Sequence, residues 1–262
     1  MKNLAISTHD LSIGYHRRKG IKTLATGINL GLESGKLTCL VGSNGVGKST
    51  LLRTLAILQP LVSGQIFIQG KNINALASSD LAKLLSVVLP GISHMGDLSV
   101  RDLVQLGRLP YSNWLGQIGE HDRHIVDQAL EQVDALNLAE RSLVTLSDGE
   151  RQKVLIARAL AQKTKIVILD EPTAFLDWNN RVTILMTLKH LAYSTGAAYL
   201  LSSHDLELAS QIADNLWVMD SEGKVISGCT KEIIDSGILQ RVFSTPYGRF
   251  NPMQILHKDQ TK

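Results

Sequence analysis

The segment Gly42-Ser43-Asn44-Gly45-Val46-Gly47-Lys48-Ser49-Thr50 constrains the fold more than any other stretch, because it fits the phosphate-loop pattern GxxxxGK[ST]. Average residue usage produces such a match by accident in only about one chain in a hundred of this length. Its flanks agree with the pattern. Leu37-Thr38-Cys39-Leu40-Val41 reads as a short buried strand, and Ser49 to Leu58 reads as a helix stopped by Pro60. Strand, glycine loop and helix in that order turn backbone N–H groups and the positive end of a helix toward one point, which suits a chain of phosphates. The candidate contacts are Gly42, Asn44, Gly45, Gly47, Lys48, Ser49 and Thr50. Lys48 would neutralise the β and γ phosphates and Ser49 would place its hydroxyl on Mg²⁺.

With 262 residues, 44% of them hydrophobic, the chain can bury a substantial core in one domain but is too short for two nucleotide-binding units. A net charge of +3 and one tight basic cluster, Arg17-Arg18-Lys19, advertise no broad nucleic-acid surface. Cys39 and Cys229 have neither CxxC nor metal-ligand spacing and read as inert thiols in a reducing compartment. Met1 to Tyr15 lacks a continuous apolar run, and no stretch reaches the roughly 18 apolar residues of a membrane span. These features predict a cytoplasmic chain.

Alternation at Ile28, Leu30 and Leu32 and again at Ile66 and Ile68 makes the first third strand-rich around the glycine-loop helix, and so predicts a mixed sheet. Ser78 to Leu89 reads as a short helix leading into an apolar strand, and Pro90 to Asp97 breaks the pattern. Val100 to Leu106 and Ile125 to Leu136 read as helices, the second with Ile125, Ala129, Leu130 and Val133 on one face, which makes residues 90–163 a helical insertion. From Lys165 strands and helices alternate again, and Asp220-Ser221-Glu222-Gly223 separates two β-like runs as a hairpin would. The fold class expected is α/β: one phosphate-loop core over residues 1–262 with a mixed sheet and a helical subdomain.

Ile166-Val167-Ile168-Leu169 ends in Asp170-Glu171, placing two carboxylates at the mouth of a buried strand, where open α/β sheets bind ligands. Asp170 would hold Mg²⁺ through its water shell. Glu171, one residue on, could polarise the water that attacks the γ-phosphate.

Leu146-Ser147-Asp148-Gly149-Glu150-Arg151-Gln152 opens a further helix ahead of that strand, and here the sequence resembles the LSGGQ signature of ATP-binding cassette (ABC) proteins. A serine hydroxyl, a glycine and a helix N-terminus make an anion site, so Ser147 and Gly149 join the candidate nucleotide contacts. The resemblance extends to Ala174-Phe175-Leu176-Asp177, similar to the loop after the catalytic glutamate, and to His204, similar to the family's switch histidine, which would orient the attacking water beside Glu171. Tyr15 resembles the aromatic that stacks on adenine. Two departures stand out. Leu89-Pro90-Gly91 lacks the Gln that the family places there, and Asp148 and Glu150 replace the first Gly and the last Gln of the signature, adding negative charge.

The resemblance implies the ABC ATPase fold, ATP with Mg²⁺, and a homodimer in which the phosphate loop of one copy faces the signature of the other. It also implies two membrane-spanning permease subunits docked on the helical insertion, a substrate-binding protein, and a place on the inner face of the membrane. Asp102-Leu103-Val104-Gln105-Leu106-Gly107-Arg108-Leu109-Pro110-Tyr111 resembles the corresponding segment in ATPases of iron-chelate importers, which handle siderophores, haem and cobalamin. An importer ATPase for another solute shares the nucleotide motifs. So does a non-transport cassette ATPase, although the chain has no long heptad insertion, no second cassette and no extensive basic surface.

Overall fold

The computed structural model describes residues 3–17, 20–90, 97–112 and 119–243. The chain opens with β1 (Leu4–Arg17), β2 (Gly20–Ile28) and β3 (Gly31–Glu33), and continues through β4 (Leu37–Gly42), α1 (Lys48–Leu55), β5 (Ser63–Ile68) and β6 (Lys71–Asn72). The middle third supplies α2 (Ser78–Leu84), β7 (Leu85–Val88), α3 (Val100–Gln105), α4 (Glu120–Gln132) and α5 (Asp148–Ala161). The last third runs β8 (Ile166–Leu169), α6 (Trp178–Thr195), β9 (Ala198–Ser203), α7 (Leu206–Ile212), β10 (Asn215–Met219), β11 (Val225–Cys229), α8 (Thr230–Asp235) and α9 (Ile238–Phe243).

Two sheets share this work. An antiparallel sheet runs β2-β1-β5-β6, with β3 also on β1. A second sheet runs β11-β10-β4-β9-β8-β7, parallel from β10 to β7 and antiparallel only at its β10–β11 edge hairpin. The four central strands are apolar and buried along nearly their whole length, as strands covered on both faces must be. Their side chains alternate between two cores. Leu37, Cys39, Val41, Val167, Leu169, Tyr199, Leu201, Leu216 and Val218 point to the helices. Leu40, Ile166, Ile168, Ala198, Leu200, Trp217 and Met219 point to α1 and the antiparallel sheet.

Helices α3, α4 and α5 pack on one another within the first of these cores, and Ile125, Ala129, Leu130 and Val133 are buried there together. Two helix ends differ from the sequence expectation. Helix α1 stops at Leu55, with Ile57 left-handed at φ 59°, ahead of Pro60. Helix α4 begins at Glu120 and stops at Gln132, with Asp134 left-handed at φ 53°, so Leu136 opens a separate 3-10 turn. In both cases a non-glycine residue in the left-handed backbone region ends the helix; Ile57 packs against the core, whereas Asp134 is exposed and of a type that tolerates this region. Gly91, the last residue of the segment that lacks the family's Gln, lies outside the described residues, as do Arg18 and Lys19.

Candidate functional site

Strands β4, β9 and β8 are parallel neighbours, with Val41 beside Ser203 and Leu169 beside Leu201. Their C-terminal ends therefore release the loops at Gly42, Asp170 and His204 side by side, at the edge where open α/β sheets receive ligands. Gly42 is required by space: a Cβ there would lie 2.5 Å from the Met219 carbonyl oxygen. Gly47 is required by conformation, with φ +123° as it enters α1. No side chain caps α1, so the first N–H groups of the helix are left for a ligand. Lys48 is buried and curls back, its Nζ donating to the carbonyls of Gly42 (2.8 Å) and Ser43 (3.2 Å). Burial lowers the pKa of this ammonium, against the opposing pull of Glu171 and Asp170. Asn44 and Gly45 are exposed at the loop tip, while Thr50 lies half-buried in the first turn of α1.

Asp170 is 1% exposed. Its Oδ1 accepts from Ser49 Oγ (3.1 Å) and Ser202 Oγ (2.7 Å), whereas its buried Oδ2 has no hydrogen-bond partner. A buried carboxylate oxygen left without a partner is costly unless something supplies positive charge. Glu171 adopts φ 51°, and its backbone N–H donates to the same Ser202 hydroxyl (2.8 Å). The Glu171 Oε2 then lies 2.6 Å from His204 Nδ1. Ser49, Asp170, Glu171 and His204, drawn from three loops, are thus joined through Ser202 in one contiguous polar cluster, with the Lys48 ammonium feeling the charge of both carboxylates.

Sequence reasoning gave Ser202 no role, yet it links both acidic residues. A hydroxyl in an otherwise apolar buried strand must find a partner, and that signal was available two residues before His204.

Ser147, Gly149 and Asp177 form a second group. Ser147 caps α5 in a capping box: its hydroxyl donates to Glu150 Oε2 (2.8 Å) and accepts from the Glu150 N–H, while its own N–H donates to that carboxylate (2.8 Å). These bonds hold the Glu150 carboxyl below its ordinary pKa, the backbone N–H of Ser147 first among them. A Cβ on Gly149 would lie 3.2 Å from the Phe175 carbonyl, so the start of α5 rests against the loop that carries Asp177. Asp177 caps α6, accepting from the backbone and side chain of Asn180, which depresses its pKa. Among the described residues no hydrogen bond or ion pair joins Ser147 or Asp177 to the cluster around Lys48 and Asp170. Tyr15 is partly exposed on β1, its ring 6.0 Å from Lys22 Nζ.

A glycine loop between a buried parallel strand and a helix, with an acidic pair at the end of a parallel strand two places away in the same sheet, defines a P-loop nucleotide-binding fold. The family model for ABC transporters matches residues 25–174, and the chain belongs to that family, as its ATP-binding and ATP-hydrolysing domain. The achromobactin transport ATP-binding protein of Dickeya dadantii is 37% identical over 240 residues, covering 92% of this chain and 88% of its own length. The iron(3+)-hydroxamate import ATP-binding protein of Bacillus subtilis is 34% identical over 239 residues, 91% of this chain and 87% of its own. Among solved structures, an inward-facing transporter assigned to the metal-chelate type superposes with a TM-score of 0.76 at 29% identity, covering 92% of this chain and 89% of that one.

Proposed function

We propose that this chain is the ATPase subunit of an iron-chelate importer, working as a homodimer on the inner face of the membrane with two permease subunits and a substrate-binding protein. One observation carries the catalytic part: Ser49, Asp170, Ser202, Glu171 and His204 join in an unbroken run of contacts beside the buried Lys48. Similarity over about nine tenths of the chain to relatives named for achromobactin and iron(3+)-hydroxamate supports the cargo class. No helix among the described residues is long and apolar enough to cross a membrane.

In this reading Gly42, Asn44, Gly45, Gly47, Lys48, Ser49 and Thr50 hold the phosphates of ATP, and Tyr15 stacks on adenine. The partnerless Oδ2 of Asp170 beside the Ser49 hydroxyl fits a hard, oxygen-seeking divalent ion, and these two residues would hold Mg²⁺, which supplies charge to the β and γ phosphates. Glu171 polarises a water that adds to the γ-phosphorus as the bond to the ADP oxygen breaks, and His204 fixes the position of that carboxylate. Lys48 offsets the charge that develops on the phosphoryl oxygens. Ser147, Gly149 and Asp177 serve the nucleotide on the partner copy, which is why one chain holds them apart from its own Lys48. Residues 1–262 act as one nucleotide-binding domain, with residues 90–163 as the helical subdomain that meets the permeases.

Reconstitution with the membrane proteins that copurify, followed by ATP-dependent uptake of ferric siderophores, haem and cobalamin, tests the reading. Uptake of a ferric siderophore is expected. Uptake confined to a solute that is not an iron chelate would overturn the cargo assignment, and ATPase activity driven by nucleic acid instead of membrane partners would overturn the transport role.

A further inference from the structure

Arg181, in the first turn of α6, was given no part by the sequence, yet its guanidinium touches two of the loops that the reaction uses. One terminal nitrogen donates to the Leu176 carbonyl (3.2 Å), immediately before Asp177. The other donates to Asp205 Oδ2 (3.2 Å), immediately after His204. This ion pair is largely withdrawn from water, its side chains 21% and 15% exposed. Asp205 uses its second oxygen to cap α7 at the Leu208 N–H (3.0 Å), and its own N–H is held by Ser203 Oγ (3.0 Å), so the His204 loop is pinned from three sides. On the other side, the loop before Asp177 rests against Gly149 of the signature.

The planar fork of an arginine can hold two acceptors in fixed directions at once, which a point charge on a flexible stem does less well. The Nε of Arg181 is buried without a hydrogen-bond partner, so the guanidinium is set by the two loops and not by the fullest pairing available to it. A helix staple with no other purpose would need only one of these bonds.

We infer that Arg181 is a positioning residue: it ties the Asp177 loop to the His204 loop, so that a shift imposed on Asp177 and Gly149 by the partner copy is passed to His204 and through its 2.6 Å contact to Glu171. This rests on the proposed homodimer, and gives each site a mechanical reading of whether the seam beside it is closed. Small displacements of a catalytic group from its productive geometry cost about a hundredfold in rate.

The test measures steady-state ATP hydrolysis by the full chain. Arg181→Met keeps the apolar stem and removes the fork, and kcat is expected to fall between about tenfold and a hundredfold with KM for ATP within about twofold of the wild type. Asp205→Asn, which retains a capping side chain, is expected to give a similar fall, and the double variant one no larger than either single. A wild-type kcat in Arg181→Met, a loss confined to KM, or losses that multiply in the double variant would each overturn the assignment. Should Arg181→Met fail to fold, Arg181→Lys is measured instead: a lowered kcat at unchanged melting temperature supports the fork, and a wild-type kcat overturns it. Failure of the ATPase reading itself would look different, as absence of hydrolysis in the wild type.

Discussion

Ser202 shows how much one hydroxyl can organise. It accepts a hydrogen bond from the Glu171 backbone N–H and donates one to Asp170 Oδ1, tying the backbone of one acidic residue to the carboxylate of the other. Ser202→Ala leaves both groups short of a partner, and an expected loss of about 1–3 kcal/mol in urea unfolding should accompany a lowered kcat. Lys48 carries a pH consequence. Its folded pKa lies below 10.5 because burial disfavours the charge, so the unfolded chain holds this proton more tightly. The penalty for burying the ammonium is therefore complete below the depressed pKa, and stability from this group rises with pH between that value and 10.5. The same depression predicts that ATP affinity, which needs the ammonium, declines at a lower pH than an ordinary lysine would give; titration calorimetry across the alkaline range, with Lys48→Met as reference, checks both. Lys48, Ser49, Asp170 and Glu171 could be picked out as candidates because each sits at a fixed offset from a local motif. Ser202 and Arg181 could not, because their contacts depend on which strands and loops become neighbours.

Helix α5 carries the signature, and the structure gives its unusual residues specific contacts. Glu150 closes the capping box on Ser147, and Asp148 pairs with Arg151 at 3.3 Å in an exposed, salt-screened contact. Ser147→Ala should cost about 0.5–2 kcal/mol of stability through the lost cap. On the proposed reading, in which the hydroxyl serves the partner's site, the same change should leave ATP binding by the phosphate loop intact while hydrolysis falls. Asp148→Gly removes a carboxylate from the edge of that site and is expected to make ATP-driven closure easier, read as a larger dimer fraction at a given ATP concentration. Most elements followed from periodicity: β4, β8, β9, β10 and the helices from α2 to α7 fall where apolar spacing puts them. The ends of α1 and α4 did not, because Ile57 and Asp134 adopt the left-handed region and so end their helices with no glycine or proline to mark the stop.

At the scale of the molecule, no hydrogen bond or ion pair among the described residues joins the phosphate cluster to the signature, and in the proposed homodimer ATP shared between two copies unites them. Glu171→Gln should trap this state, and sedimentation is expected to show a dimer with ATP and a monomer with ADP; a monomer under both conditions would count against the shared site. Binding to the folded form alone should also raise stability, by about 2.7 kcal/mol at a hundredfold excess over Kd. The sequence by itself determined the family, the nucleotide and the chemical type of each motif residue, because these are written in short runs whose geometry follows from a strand, a turn and a helix. The tertiary structure decided which motifs meet. Placing β9 between β4 and β8 brings Ser202 onto Asp170 and His204 onto Glu171, and packing α6 beside α7 lets Arg181 span two loops, since strand order and helix contact are set by burial across the whole core and not by any local run of residues.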